Sequence, residues 1–122
     1  MFDICCIGHI TLDRVVTPAS EKFMAGGTSF YFSNAIRQMD VRYKLITALA
    51  ETEKRFADKM MADGIDVSVY HSAHTVFFEN IYSHNLDHRT QRVRQTADPF
   101  HISQLSINAK IFHLGPLLAD DI

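Results

Sequence analysis

Asp3 to Ile7 is a short, nearly continuous apolar run ending at Gly8, the pattern of a parallel strand covered on both faces, and it is expected to lie mid-sheet. Ile10 to Val16 ("ITLDRVV") alternates imperfectly before Pro18 and predicts a second, more exposed extended segment. From Thr28 the period changes, and Phe32, Ala35, Ile36 and Met39 recur at helical offsets as one apolar stripe. Tyr43 to Ala50 ("YKLITALA") follows as a buried-type strand. A helix is then expected from about Thr52, with Phe56, Ala57, Met60 and Met61 on one side and Gly64 placed to cap its end. Val67 to Tyr70 offers one more short strand. Strand, helix, strand, helix, strand predicts an α/β domain, a sheet with right-handed crossovers and helices on its faces.

The second part of the chain reads differently. Thr75 to Tyr82 ("TVFFENIY") and Arg89 to Gln95 ("RTQRVRQ") flank the polar "SHNLDH", which predicts a β-hairpin with a long loop. Its second arm has too little apolar content for a central strand, so the hairpin is expected to project as a flap with one wet side. After Pro99, "HISQLSINA" is weakly helical, and Lys110 to Leu118 ("KIFHLGPLL") reads as a further buried strand ending in a Gly-Pro turn.

Composition narrows the class. A chain of 122 residues, 47% apolar and 21% charged, has the profile of one globular domain with room for one core. A formal net charge of −2, with Lys and Arg spread along the chain, argues against nucleic acid and anionic membranes as partners. No basic leader precedes the first apolar run, and no stretch approaches the roughly 20 apolar residues of a membrane helix, so a cytoplasmic protein is expected. Cys5 and Cys6, the only cysteines, are neighbours whose side chains point to opposite faces of a strand, and they read as buried thiols.

The candidate chemistry centres on Gly26-Gly27 and Asp13. The glycine pair lacks the lysine of a phosphate-binding loop, and it stands too far beyond the first strand for a dinucleotide fingerprint. Two readings remain: a backbone free of β-carbons at a helix N-terminus, open to an oxygen-rich ligand, or a plain tight turn. Asp13 follows the first strand, where ligands gather in open α/β sheets, or it is a solvated loop carboxylate. Seven histidines lack the thiolate or acidic companions of a zinc site, and no G-x-S-x-G supports a serine nucleophile.

Taken in order, "GHITLD" after the first strand, "AGGTSFYFSNAI" opening a helix, "LITALAETEKRFADKMMADGIDV", a hairpin with "RTQRV", and "IFHLGPLL" span almost the whole chain. This succession resembles the N-terminal half of the ribokinase-like (PfkB) carbohydrate kinases. The resemblance implies a partial parallel sheet flanked by helices, with a small β lid built from segments of about 10–25 and 75–95. It implies that Asp13 hydrogen-bonds sugar hydroxyls, that Gly26 and Gly27 lie against the sugar rather than nucleotide phosphates, and that Thr11, Thr28 and Tyr31 share that site. Phe78, Asn80 and Arg89 fall in the lid, which in many members also forms a dimer contact.

Departures from the family pattern mark what the resemblance leaves open. Tyr31 stands where many sugar kinases carry asparagine, and Ala50-Glu51 replaces a Gly-Asp pair before the second helix. The family's G-A-G-D motif, which holds the catalytic base and anion hole in its C-terminal half, does not occur in these 122 residues. Residues 1–122 are therefore expected to be the substrate-binding and lid portion of such a kinase, a shortened piece or the product of a broken gene, without the nucleotide-binding half. The full enzyme would use ATP and magnesium to phosphorylate a sugar or polyol hydroxyl; this chain alone is expected to bind neither cofactor, to be inactive, and to form a homodimer or higher oligomer. Competing readings are a non-catalytic small-polyol binding module and a dimerising structural domain.

Overall fold

In the computed structural model, which describes residues 1–121, the chain runs β1 (Phe2–Ile7), β2 (Thr11–Thr17), β3 (Ser20–Gly26), α1 (Thr28–Ile36), β4 (Tyr43–Leu49), α2 (Lys54–Ala62), β5 (Val67–His71), β6 (Val76–Tyr82), β7 (Arg89–Gln95) and β8 (Ala109–Leu114). Four of these strands form an all-parallel sheet in the order β5-β4-β1-β8. The other four form a second sheet, β3-β2-β6-β7, in which β2 pairs parallel with β6 and antiparallel with β3. The α/β architecture read from the sequence, with β1 an inner strand, is the one observed.

The inner strands are apolar on both sides because both faces of the parallel sheet are covered. Cys6 joins Leu45, Leu49, Ile36, Ala57 and Met60 in one cluster, whereas Cys5 joins Ile7, Ile46, Ala48 and Phe100 in another. The two thiols are free and fully buried on opposite faces. Burial pushes the Cys6 thiol up to about 11, against an opposing hydrogen bond with Tyr43.

Several details differ from the sequence reading, each for a physical reason. Both helices pack on the Cys6 face, because the two crossovers step the same way across the sheet, from β1 to β4 to β5, and crossovers of one hand then cover one side. Phe100, Leu105 and Ile107, from the connection after β7, cover the Cys5 face instead, and there the expected weak helix is only a short 3-10 turn, Ile102–Gln104. The inward residues of α1 are Ser29, Ser33 and Ile36 rather than the apolar stripe ending at Met39; Ala35 is exposed and Met39 lies beyond the helix, 60% exposed. Each inward serine has a partner: Ser29 Oγ donates to the His9 carbonyl at 3.0 Å, and Ser33 Oγ lies 2.6 Å from the Tyr43 hydroxyl. In α2, Ala57 and Met60 are buried but Met61 is exposed.

Two strands correct the sequence reading more deeply. β3 falls in the segment of about 10–25 that the resemblance assigns to the β lid but has no strand signal of its own, because its residues before Ala25 are all exposed and an edge strand of that kind carries no alternation to recognise. β8 was read as buried, yet Ile111, Phe112 and Leu114 are 59%, 45% and 55% exposed, since β8 is an outer strand paired only with β1. Among the described residues no helix is long and apolar enough to cross a membrane.

Candidate functional site

Between the second sheet, the start of α1 and the end of β8 lies an open cleft of about 1060 Å³. One face of the second sheet forms its wall, and the strand period of two decides which side chains line it. Asp13 and Val15 of β2, Phe78, Asn80 and Tyr82 of β6, and Arg89, Gln91 and Val93 of β7 all point that way. Register makes them a grid: Asp13 pairs with Phe78 and Phe78 with Val93, while Val15 pairs with Asn80 and Asn80 with Gln91. Arg14, one residue along β2, does not line the cleft and is tied to Glu21 at 2.9 Å and Glu79 at 2.7 Å.

Asp13 is thus a strand residue, within the extended segment read over Ile10 to Val16, and not a solvated loop carboxylate, the alternative reading. Thr11 Oγ1 donates to its Oδ1 at 2.6 Å, holding the carboxylate in one rotamer. Burial raises its pKa, opposed by that hydrogen bond and by the charge of Arg89. The group is an acceptor-only carboxylate, partly desolvated, facing a cleft.

The glycine pair divides its work. Gly26 pairs with Thr11 and is buried; a β-carbon there would lie 2.8 Å from Asp13 Cγ and 3.0 Å from Thr11 Oγ1. It leaves room for the carboxylate and does not itself line the cleft. Gly27 does line it, as the N-cap of α1 with φ 94° and ψ 155°, a backbone conformation open essentially to glycine alone. The next residue, Thr28, also lines the cleft, so the amide-rich start of α1 faces the same space as Asp13.

Of the residues expected from sequence, the structure brings Asp13, Gly27, Thr28, Tyr31, Phe78, Asn80 and Arg89 to the cleft, whereas Thr11 and Gly26 stand behind Asp13. Tyr31 is 58% exposed, at the rim. Asn80 is 6% exposed, and its Oδ1 is buried with no hydrogen-bond partner. Phe78 lines the cleft. Sequence reasoning missed Val15, Tyr82, Gln91 and His113. The first three follow from Asp13 by counting in twos along β2 and its neighbours, once the pairing is known; His113 stacks flat on Phe32, with ring centroids 4.0 Å apart.

The far wall is held by a buried polar cluster. His9 Nε2 lies 2.8 Å from the Asp98 carbonyl oxygen and its ring stacks on Phe100. Its Nδ1 stands 3.5 Å from Asp121 Oδ2, which accepts the amides of Leu117 and Leu118 at 2.7 and 3.0 Å. That carboxylate shapes the turn after β8, whose two leucines line the cleft.

No family model and no curated protein matches the chain. Solved structures do. A pyrophosphate-dependent kinase in the ribokinase family, solved as a sulfate complex, is 26% identical with a TM-score of 0.81 over 97% of this chain and 42% of its own. A pyrophosphate-dependent myo-inositol-1 kinase converted into a myo-inositol-3 kinase is 24% identical, TM-score 0.82, over 97% of this chain and 40% of its own. The Methanocaldococcus jannaschii nucleoside kinase, an archaeal member of the ribokinase family, is 18% identical, TM-score 0.75, over 93% and 44%. Over nearly its whole length the chain has the ribokinase-like fold, as the N-terminal portion of such kinases and about 40% of their length.

Proposed function

We propose that this chain is the substrate-binding and lid portion of a ribokinase-family carbohydrate kinase, and that the cleft takes a sugar or polyol. One observation carries the reading. Asp13, an acceptor fixed by Thr11 and given room by Gly26, faces the same cleft as the glycine-capped start of α1, under a sheet whose polar side chains point inward. Such a site suits a neutral ligand rich in hydroxyl groups, because each hydroxyl both donates to a carboxylate and accepts from an amide.

The relatives support the same class. A pyrophosphate-dependent kinase of the ribokinase family, 26% identical, was solved with a pyrophosphate analog and myo-inositol. In the converted myo-inositol kinase, two leucine substitutions eleven residues apart move the reaction from one hydroxyl to another. Asn80 and Gln91 of this chain have the same separation and are cross-strand partners.

In the whole enzyme a phosphoryl group passes to one ligand hydroxyl, and catalysis of that kind is mostly positioning and charge stabilisation. This chain contributes positioning. The expected donor is ATP with magnesium, and pyrophosphate is the competing donor that the similar kinases raise. A cytoplasmic homodimer or higher oligomer is the expected setting. The exposed apolar side chains of β8 favour an assembly, which is also what the dimerising-domain reading requires.

Titration of the isotope-labelled chain with myo-inositol and D-ribose tests the proposal. Shifts confined to amides around Asp13, Gly27 and Thr28, lost in Asp13→Asn, are the expected result. The chain alone should show no phosphoryl transfer from ATP or pyrophosphate; turnover by pure protein would sink the half-enzyme reading.

A further inference from the structure

The side chain of Asn80 has no hydrogen bond among the described residues that accounts for its burial. It sits mid-strand in β6, 6% exposed, with Oδ1 buried and unpartnered. An amide oxygen left in that state carries its desolvation cost without a hydrogen bond in return, and an apolar residue would avoid the cost. Its neighbours on the same face, Phe78 and Tyr82, are large side chains with apolar bodies. A polar group kept where the fold does not use it points to a ligand.

The grid locates that ligand. Asp13 pairs with Phe78 and Val15 with Asn80, so Asn80 stands two residues further along the ladder than Asp13, on the adjacent strand and the same face. Two residues along a strand and one strand across set such a diagonal pair roughly 8 Å apart, about the breadth of a six-membered ring with its hydroxyl oxygens plus the hydrogen bond that reaches one edge. Gln91 lies directly across from Asn80 on β7 and also lines the cleft. A hydroxyl meets either end of an amide, as donor to its oxygen or acceptor from its nitrogen.

From this we infer that the cleft takes a six-membered cyclic polyol, gripped at one edge by Asp13 and at the opposite edge by the Asn80–Gln91 pair. The pair fixes which way round the ring sits and so which hydroxyl is left free to react. The inference rests on the polyol reading of the site and adds the ring size and the determinant of orientation. Asp13 supplies affinity common to any ring with adjacent hydroxyls; Asn80 and Gln91 supply the preference among rings that differ in the configuration of one hydroxyl.

The test is a binding panel on the full chain with myo-inositol, scyllo-inositol, D-chiro-inositol and D-ribose, read as dissociation constants by NMR titration. Asn80→Ser and Gln91→Leu are compared with the unaltered chain and with Asp13→Asn. The expected result is that at least one inositol binds more tightly than D-ribose. Asp13→Asn then weakens all inositols alike, while Asn80→Ser and Gln91→Leu change the ratios between epimers about tenfold, the effect of one hydrogen bond. A purely structural Asn80 would move every constant together, and unchanged ratios overturn the assignment while leaving the polyol reading intact. Tighter binding of D-ribose than of any inositol overturns the ring-size inference. If no polyol binds the unaltered chain, this inference and the polyol reading both fall. Gln91 is on the exposed arm, so its variant decides the matter if Asn80→Ser does not fold.

Discussion

Gly26 and Asp13 are diagonal neighbours across the β2–β3 ladder, and a β-carbon on Gly26 would lie 2.8 Å from Asp13 Cγ. The absence of a side chain at one position therefore sets the rotamer of the carboxylate at the other. Gly26→Ala should displace that carboxylate and destabilise the chain by about 1 to 3 kcal/mol, the usual cost of overpacking. Urea unfolding and polyol titration on the same sample check it. A variant as stable as its parent, with binding unchanged, would show that the carboxylate has other room.

Gly27 and Gly64 separate two costs that usually come together. Both have positive φ, 94° and 92°, but a β-carbon on Gly27 would meet the His9 carbonyl oxygen at 2.8 Å while one on Gly64 would meet nothing within 4 Å. Gly64→Ala is expected to cost about 1 kcal/mol from backbone strain alone, and Gly27→Ala distinctly more. Equal losses in denaturant unfolding would mean that the His9 contact relaxes freely.

The pH dependence of stability should carry the mark of Asp13. Burial, outweighing the Thr11 hydrogen bond and the Arg89 charge, raises its carboxyl above the ordinary 3.8, so the folded chain keeps the proton to higher pH than the unfolded chain does. In the window between 3.8 and the raised value the folded state binds more protons, and stability falls as pH rises. Measured against Asp13→Asn, the parent should lose relative stability across that window and then level off. Polyol affinity should run the other way, strengthening as the carboxylate ionises. A stability difference independent of pH contradicts the buried position of the group.

Ser33 and Tyr43 join α1 to β4 through a buried hydroxyl pair 2.6 Å apart, and burial drives the tyrosine pKa far upward. Removing one partner strands the other, so Ser33→Ala and Tyr43→Phe should each cost about 1 to 3 kcal/mol, and the double variant much less than their sum. Additive losses in a double-mutant cycle would deny the coupling.

The open edge of β8 should make the chain associate. Ile111, Phe112 and Leu114 are exposed on a strand with one free side, and such edges seek partners. Light scattering at micromolar concentration is expected to give at least twice the 13.9 kDa chain mass, and Ile111→Lys with Phe112→Lys to return it toward the monomer. A monomeric parent overturns the expectation; a dimer untouched by these changes moves the contact to the second sheet.

The order of elements was legible because apolar runs with strand and helix periods are local properties of the chain: Cys5 to Ile7, Leu45 to Leu49, and Ala57 with Met60 announce themselves without knowledge of their partners. Asp13 and the glycine pair were legible through the family succession of motifs. The face that each residue serves was not, since it depends on neighbours distant in sequence. Ser29 and Ser33 point inward because His9 and Tyr43 offer hydrogen-bond partners, and β8 is exposed because only β1 lies beside it. Gly26 reads the same in sequence whether it meets a ligand or makes room for Asp13. Only the β2–β3 register, a long-range pairing that no local pattern encodes, decided for the carboxylate, and the same pairings brought Asn80 and Gln91 to its cleft.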